Sequence, residues 1–519
     1  MTLQKTTIDP VESTSRTVVT MEDHDEAYYV WQKAGFRDRV LLHFDAHIDF
    51  EWNSFSPSVL LEKGSQREIH AELKQYPFWN LSPKPLQEQI HIGNYIRQAI
   101  REGIVRKFVW IYPDHPDPEK QSLAVKKILE ALTQNSYGEF TAESSHLPGC
   151  FEGYVGGKPL TVIPFSKLPR ISTSEPVLLD IDTDFFTVQS LHSSDYPSGE
   201  FENPVPWLLP RDFFTELQNQ HFRFDSITIA YSVEGGYTPL ALKFLGEELE
   251  MLFKGTGNPD SESKFKSLHT ALALQKNGEI RPALQQLEAA LRKAPGEASL
   301  NFNTAMICLK INAVDKAKQY YEQATGNDPS YRTPYNHPGP VYFQTNRLRE
   351  ARESYDLMEK VDPENPHYKL FRIGDAFGKK QWDQVISKGE LLLNHSFDHS
   401  DLRLYLAQAY TRLKHYDRAW DHVLAIRPNE CSYPVSGSLY LKASLAKKMG
   451  LRETALECYQ HLLRHWIKTP QVHWNIAKLY FAKGNFYKTR KHLLETVRVF
   501  YMKPFYQLLN RLKRWRGRS

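Results

Sequence analysis

Prolines at positions 295, 329 and 363 stand 34 residues apart, and Pro470 and Pro504 repeat the interval. A proline cannot continue a helical hydrogen-bond ladder, so a fixed proline period marks a fixed helical unit. Within the units a small residue recurs where two helices of a hairpin must approach closely: Ala283 in RPALQQLEAALRKAP, Ala317 in DKAKQYYEQATGNDP and Ala351 in REARESYDLMEKVDP. From Phe265 onward the chain therefore reads as stacked helix pairs. Pro428 leaves the grid, 65 residues after Pro363 and 42 before Pro470. At least one unit is irregular, and six or seven pairs are expected, the last ones imperfect.

This pattern resembles the tetratricopeptide repeat, whose period is 34 residues and whose helix pairs stack into an α-solenoid. Solenoids of this kind are binding surfaces, so chemistry is to be sought upstream. There the periodicity changes: short β-rich runs alternate with helical stretches, the pattern of an α/β domain with a mainly parallel sheet. Candidate strands are Val40 to Phe44, Lys107 to Tyr112, Leu160 to Pro164, Val177 to Ile181 and Ile227 to Ser232. The Gly, Ser, Pro and Asp content of KGTGNPDSESK (Lys254 to Lys264) reads as a linker. The expected division is a catalytic domain over 1–253, a linker over 254–264 and an all-α solenoid over 265–519.

The 519 residues are too many for one ordinary core, and 41% apolar with 24% charged is a globular composition. No apolar run reaches the roughly 18 residues of a membrane span, and the N-terminus lacks the apolar core of a signal peptide. A cytoplasmic protein without a membrane partner is expected. Cys150, Cys308, Cys431 and Cys458 show no paired spacing and read as small core residues. Charge divides the chain: residues 1–250 hold 22 Lys and Arg against 36 Asp and Glu, the remainder 43 against 25. Halves of opposite charge suit different partners.

Three upstream segments carry the candidate site: MEDHDEA (21–27), VLLHFDAHIDF (40–50) and VLLDIDTDFF (177–186). In the second, an apolar strand ends in Asp45, His47 and Asp49. Alternate side chains of an extended segment point the same way, so the three converge. Asp180 and Asp182 repeat the arrangement, with Asp184 two residues on. Neighbouring buried carboxylates are costly unless cations neutralise them. Oxygen ligands with some imidazole suit Mn²⁺, or otherwise Mg²⁺, Fe²⁺ or Co²⁺, and six ligands suit two ions. Asp184 reads either as a further ligand or as the cap of the following turn, and His43 as a core residue or a support behind the ligands. His91 and Asn94, in IHIGNYIRQAI, are candidates for a proton shuttle and a substrate contact, or are structural residues of a buried helix.

DAHID resembles the DAHxD motif of arginases and agmatinases, LLDIDTDFF their strand ending in DxD, and EDH their His-bearing motif. The short interval from EDH to DAHxD, together with SVEGGYTP (232–239), resembles a divergent arginase-related family that includes the peptide arginases, which convert arginine in a ribosomally made peptide to ornithine. The likeness covers roughly residues 15–250 and implies a three-layer α/β arginase-like domain. It also implies two Mn²⁺ ions. One would be held by His24, Asp45, Asp49 and Asp180, the other by Asp45, His47, Asp180 and Asp182, with Asp45 and Asp180 shared. Asp49 would relay a proton to the departing amine, and Glu234 would grip the guanidinium.

The polar segment with which free-arginine enzymes bind the α-carboxylate and α-amine finds no match here. FEWNSFSPSVLLEKG follows, with Phe50 and Trp52 in its place, which favours arginine within a peptide. The basic solenoid reads as a holder for an acidic leader segment of that peptide, or as an ordinary solvated surface. The tail RLKRWRGRS (511–519) reads as a solvated helix end rather than a nucleic-acid or lipid contact. Two alternatives stand beside the peptide arginase: another ureohydrolase or a deacetylase-like hydrolase of a small guanidino or amide substrate, and a helical-repeat adaptor whose hydrolase domain is inactive.

Overall fold

The near-continuous apolar runs VLLHF and VLLDI become neighbouring strands of a mixed sheet, as expected of strands buried on both faces. The computed structural model describes residues 17–50, 90, 92–135, 139–187, 205–233, 237–332, 347–426, 435–464 and 469–499. Its eight strands are β1 (Thr17–Met21), β2 (Arg39–Phe44), β3 (Val105–Tyr112), β4 (Phe140–Ser144), β5 (Phe151–Val155), β6 (Lys158–Pro164), β7 (Val177–Asp182) and β8 (Phe224–Ala230). They lie in the order β1-β8-β7-β2-β3-β6-β5-β4. The first six in this order are mutually parallel, and β5 and β4 form an antiparallel edge. Helices α1 (Glu26–Lys33), α2 (Tyr95–Arg101), α3 (Pro118–Asn135), α4 (Pro210–Asn219) and α5 (Phe244–Lys254) belong to the same domain.

The topology creates a crevice. From β2 the chain proceeds to β3 and β6 on one side, then returns to lay β7 against the other side of β2 and β8 beyond it. Ligands of open α/β sheets sit at such a reversal, outside the carboxyl ends of the strands. All five expected strands are present as β2, β3, β6, β7 and β8. The last ends at Ala230 and not at Ser232, because Ser232 takes a φ of +49° that leaves the extended region.

The expected linker over 254–264 is corrected. Gly255 closes α5 with a φ of +64°, and α6 (Pro259–Lys276) begins four residues later. Asn258 caps it, its side-chain oxygen accepting from Asp260 N at 3.0 Å and Ser261 N at 2.9 Å, while Ser261 Oγ accepts from Asn258 N at 3.0 Å. Polar residues and a proline that read as linker are here a capping box with proline in the first turn.

The helical region continues with α7 (Ile280–Leu291), α8 (Ala298–Lys310), α9 (Val314–Asn327), α10 (Leu348–Val361), α11 (Pro366–Gly378), α12 (Trp382–Asn394), α13 (Ser400–Arg412), α14 (Tyr416–Leu424), α15 (Val435–Lys448), α16 (Arg452–Arg464) and α17 (Pro470–Ala482), followed by helical residues 486–499. Ala283, Ala317 and Ala351 are fully buried, as close helix approach requires. Pro428, Cys431, Trp52 and the tail 511–519 lie outside the described residues. Cys150, Cys308 and Cys458 are buried thiols.

Packing also moves the expected boundary at residue 253. One compact unit runs from the sheet through residue 365, and a second contains the helices from α11 onward. In the first unit, Asn303 of α8 donates to Ala241 O at 3.0 Å, His269 of α6 meets Glu248 of α5 at 2.6 Å, and Phe265 stacks on Phe244. The first repeats are thus part of the sheet domain's own packing. In the second unit, Leu370, Ile373, Val385, Leu402 and Leu406 form one apolar cluster.

Candidate metal centre

Beyond β2 the chain turns at Asp45, whose Oδ1 accepts from His47 N at 2.5 Å. This side-chain-to-backbone turn leads to Asp49, which sits at a φ of +49°. Left-handed backbone costs about 1–2 kcal/mol for most residues and is tolerated best by Asn and Asp. The Trp110 indole donates to Asp45 O at 2.9 Å, anchoring the turn from β3. His24 enters from the turn that joins β1 to α1. Asp180 and Asp182 end β7, where Asp182 Oδ1 accepts from Asp184 N at 2.9 Å.

His24 stands at the centre. Its Nδ1 is 3.1 Å from Asp45 Oδ2, 3.6 Å from Asp49 Oδ2 and 3.3 Å from Asp182 Oδ2, and its Nε2 is 3.4 Å from Asp180 Oδ1. The six residues expected as ligands therefore meet, with His47 Nδ1 3.3 Å from Asp45 Oδ1.

Their grouping differs from the expected division: His43 and Asp184 enter, while Asp180, expected as a bridge, and Asp182 belong to neither group. Ligand atoms of His24, His43, Asp45 and Asp49 lie within 4.8 Å of one another, and so do those of Asp45, His47 and Asp184. His43 joins the first group through its Nε2, 3.3 Å from Asp45 Oδ2; the β2–β7 register also sets it opposite Asp180, whose Oδ2 is 3.1 Å from its Nδ1. Asp184 begins a single helical turn, Asp184–Thr187. It is also more than a cap, with Oδ2 2.9 Å from His47 Nδ1 and Oδ1 accepting from Ala46 N at 3.3 Å. Asp180 and Asp182 are held by hydroxyls: Tyr95 donates to Asp180 Oδ2 at 2.7 Å, Thr228 to Asp180 Oδ1, and Ser232 to Asp182 Oδ2 at 2.6 Å.

Tyr95, Thr228 and Ser232 were not singled out in the sequence. Thr228 faces Asp180 through the β7–β8 register, which a single strand does not announce, and Tyr95 reaches the site from a helix 85 residues away in sequence from Asp180. Asn94 is fully buried at the N-cap of α2. His91 and Glu234 lie outside the described residues.

Five carboxylates face three imidazoles, and the site redistributes protons accordingly. Burial opposes the His24 imidazolium, but the charges of Asp180 and Asp182 outweigh it and hold the imidazole well above its ordinary value. Burial raises Asp45 and Asp180, but contacts with His24, His43 and, for Asp45, His47 hold both below the usual carboxylate range. Burial and the neighbouring Asp45 push Asp49 up to about 6. Burial and Asp184 push Asp182 well up, and burial with Asp45 raises Asp184.

Five carboxylates thus crowd three imidazoles, and burial together with their mutual repulsion is what raises Asp49, Asp182 and Asp184. His24 Nε2, His43 Nε2 and Asp184 Oδ2 are buried without a hydrogen bond, although ionic partners lie close. A carboxylate-rich, part-imidazole donor set with such atoms facing inward fits divalent cations of the Mn²⁺ class. The side chain of Asp49 is 11% exposed and that of His47 40%, so the opening lies on their side. Tyr237 stands edge-on to His47 there, 5.3 Å between ring centroids.

The tetratricopeptide-repeat family model matches residues 268–332, which span the second half of α6 and all of α7, α8 and α9. No curated protein matches the chain. Similar solved structures include the Cut9–Hcn1 hetero-tetramer of APC/C, 14% identical over 50% of this chain and 50% of that one with a TM-score of 0.29. PilF of Pseudomonas aeruginosa is 20% identical over 40% of this chain and 93% of its own, with a TM-score of 0.25. YrrB, described as a TPR protein with an unusual peptide-binding site, is 18% identical over 44% and 97%, with a TM-score of 0.21. The chain thus carries tetratricopeptide-like helical repeats and a mixed α/β sheet domain with a buried carboxylate–imidazole cluster. No helix among the described residues is long and apolar enough to cross a membrane.

Proposed function

We propose that the sheet domain is a metal-dependent hydrolase that cleaves the guanidinium group of arginine side chains within a peptide, giving ornithine and urea, and that the repeats hold the peptide. The observation that carries this reading is the convergence of Asp45, Asp49, Asp180, Asp182 and Asp184 on His24, His43 and His47 at the carboxyl ends of β2 and β7. His24, Asp45, His47, Asp49, Asp180 and Asp182 would hold two divalent cations, with His43 and Asp184 beside them. Such ions lower the pKa of water and supply a nucleophile at neutral pH.

The remaining roles belong to the chain. Tyr95 and Thr228 orient Asp180, and Ser232 orients Asp182, the support that fixes ligand geometry. Asp49, near the open side, accepts the proton of the attacking water and returns it to the departing side-chain nitrogen as the carbon–nitrogen bond breaks. Glu234, in the SVEGGYTP segment outside the described residues, would grip the guanidinium by charge-assisted hydrogen bonds, as the resemblance implies. The basic surplus of residues 251–519, 43 Lys and Arg against 25 Asp and Glu, suits an acidic leader segment. Tethering it near the site raises the local concentration of the reacting arginine.

The test incubates Mn²⁺-loaded protein with arginine peptides, free arginine, agmatine and acetyl-lysine, and follows urea and peptide mass. Urea release with peptidyl ornithine is expected. Urea from agmatine or free arginine alone, or deacetylation alone, would assign the site to another ureohydrolase or a deacetylase-like enzyme. A second reading rests on the repeat match over residues 268–332: a helical-repeat adaptor whose sheet domain is inactive. Tight peptide binding with no turnover of any of these substrates would select it.

A further inference from the structure

Lys243 lies in the short connection between the β8 loop and α5, and its side chain is only 12% exposed. Its ammonium donates to Asp328 Oδ2 at 2.8 Å and to Ser330 Oγ at 2.5 Å. Both partners belong to the repeat region, at the end of the second hairpin. The same ammonium sits 4.8 Å from the Tyr331 ring centroid and 5.6 Å from that of Tyr231. Cation, carboxylate and two aromatic faces thus form one node inside the first compact unit, with Lys243 largely buried and Asp328 35% exposed.

Tyr231 leads directly to the metal centre. Its ring packs so tightly on α5 that a Cβ at Gly246 would meet Tyr231 Cε1 at 2.4 Å. Its carbonyl accepts from Thr183 Oγ1 at 2.7 Å, between Asp182 and Asp184. The next residue, Ser232, holds Asp182 Oδ2 at 2.6 Å while kept at a φ of +49°. That conformation is maintained by Ser232 N donating to Glu22 O at 2.8 Å and Ser232 O accepting from Thr238 N at 2.9 Å. A residue in this backbone region persists where its surroundings over-determine it.

We infer that Lys243 is a positioning residue: the Asp328–Tyr331 segment of the repeats, through Lys243 and Tyr231, sets Ser232 against Asp182 and thereby shapes the Asp182 side of the candidate metal centre. This rests on the reading of that centre as a metal site and extends it. The repeats that would hold the peptide also complete the site, so removing or displacing them alters ion binding without touching a ligand.

The experiment uses the full-length protein and its Lys243→Met and Lys243→Arg variants. Mn²⁺ binding is measured by calorimetry, and amide exchange at Ser232, Tyr237 and Thr238 by hydrogen–deuterium mass spectrometry. In Lys243→Met, exchange at these three amides rises, and one of two Mn²⁺ steps weakens about tenfold, the low end for losing a support behind a ligand. Lys243→Arg, which keeps the charge and the ring stacking, restores most of both. Unchanged exchange and unchanged Mn²⁺ binding in Lys243→Met, even with a lower melting temperature, would overturn the inference. If wild-type protein binds no divalent cation, the metal reading fails, and the exchange data alone decide whether Lys243 positions the loop.

Discussion

The sheet domain and the repeat helices bury different things. At the carboxyl ends of β2 and β7 four aspartates, Asp45, Asp180, Asp182 and Asp184, lie at or below 5% exposure around the buried His24 and His43. The repeats bury mainly alanine, leucine and tyrosine, with Ala283, Ala317, Ala351, Leu406 and Tyr331 all fully enclosed. Their buried acids Asp362 and Asp401 stand singly, Asp362 paired with Arg332. Uncompensated, the first arrangement would cost several kcal/mol per ion, whereas the second is the ordinary favourable burial of apolar surface. On the proposed reading one region is built to hold cations; the other is built to stack.

Substitutions can break that contrast. Asp180→Asn removes a charge that meets His24, His43, Tyr95 and Thr228, and divalent-cation affinity should fall by more than the roughly 10–100-fold that outer-shell changes cost. Helical content should stay unchanged, and circular dichroism would reveal a coupled collapse. Leu406→Ala, in the second compact unit, should destabilise that unit by about 2–5 kcal/mol while leaving Mn²⁺ affinity as it was. Thermal melts with and without the ion read both quantities.

Smaller effects sharpen it. Mn²⁺ at about 100 times its dissociation constant should stabilise the sheet domain by about 2.7 kcal/mol, reversed by chelation; a melt indifferent to both would deny the site its cation. Tyr95→Phe, deleting the 2.7 Å hydrogen bond to Asp180, should weaken Mn²⁺ about tenfold in a calorimetric titration. Asn258→Ala, which removes the α6 cap, should cost about 1 kcal/mol in denaturant unfolding and leave the ion unaffected.

The two regions also differ in how far sequence revealed them. A repeat is local: Ala283, Ala317 and Ala351 announce close helix contacts because each hairpin packs mainly on its neighbours in sequence. The clustered acids and imidazoles were legible for a related reason, since Asp45, His47 and Asp49 follow one strand and Asp180 and Asp182 end another. What stayed hidden depends on pairing. His43 meets Asp180 only because β2 lies beside β7, Thr228 only because β8 lies beyond it, and both registers are set across more than 45 residues of chain. The capping box at Asn258 was misread because the residues that start a helix are also those that populate linkers. The union of the first repeats with the sheet domain rests on Asn303, His269 and Lys243, none of which belongs to a recognisable pattern.

On the proposed reading the cluster around His24 is a two-cation site. Its most direct test is the stoichiometry of Mn²⁺ bound by the full-length protein, measured by calorimetry and by elemental analysis after gel filtration. Two ions per chain, lost in Asp180→Asn, is the predicted result. No bound ion at millimolar Mn²⁺, or binding equal in wild type and Asp180→Asn, would contradict it.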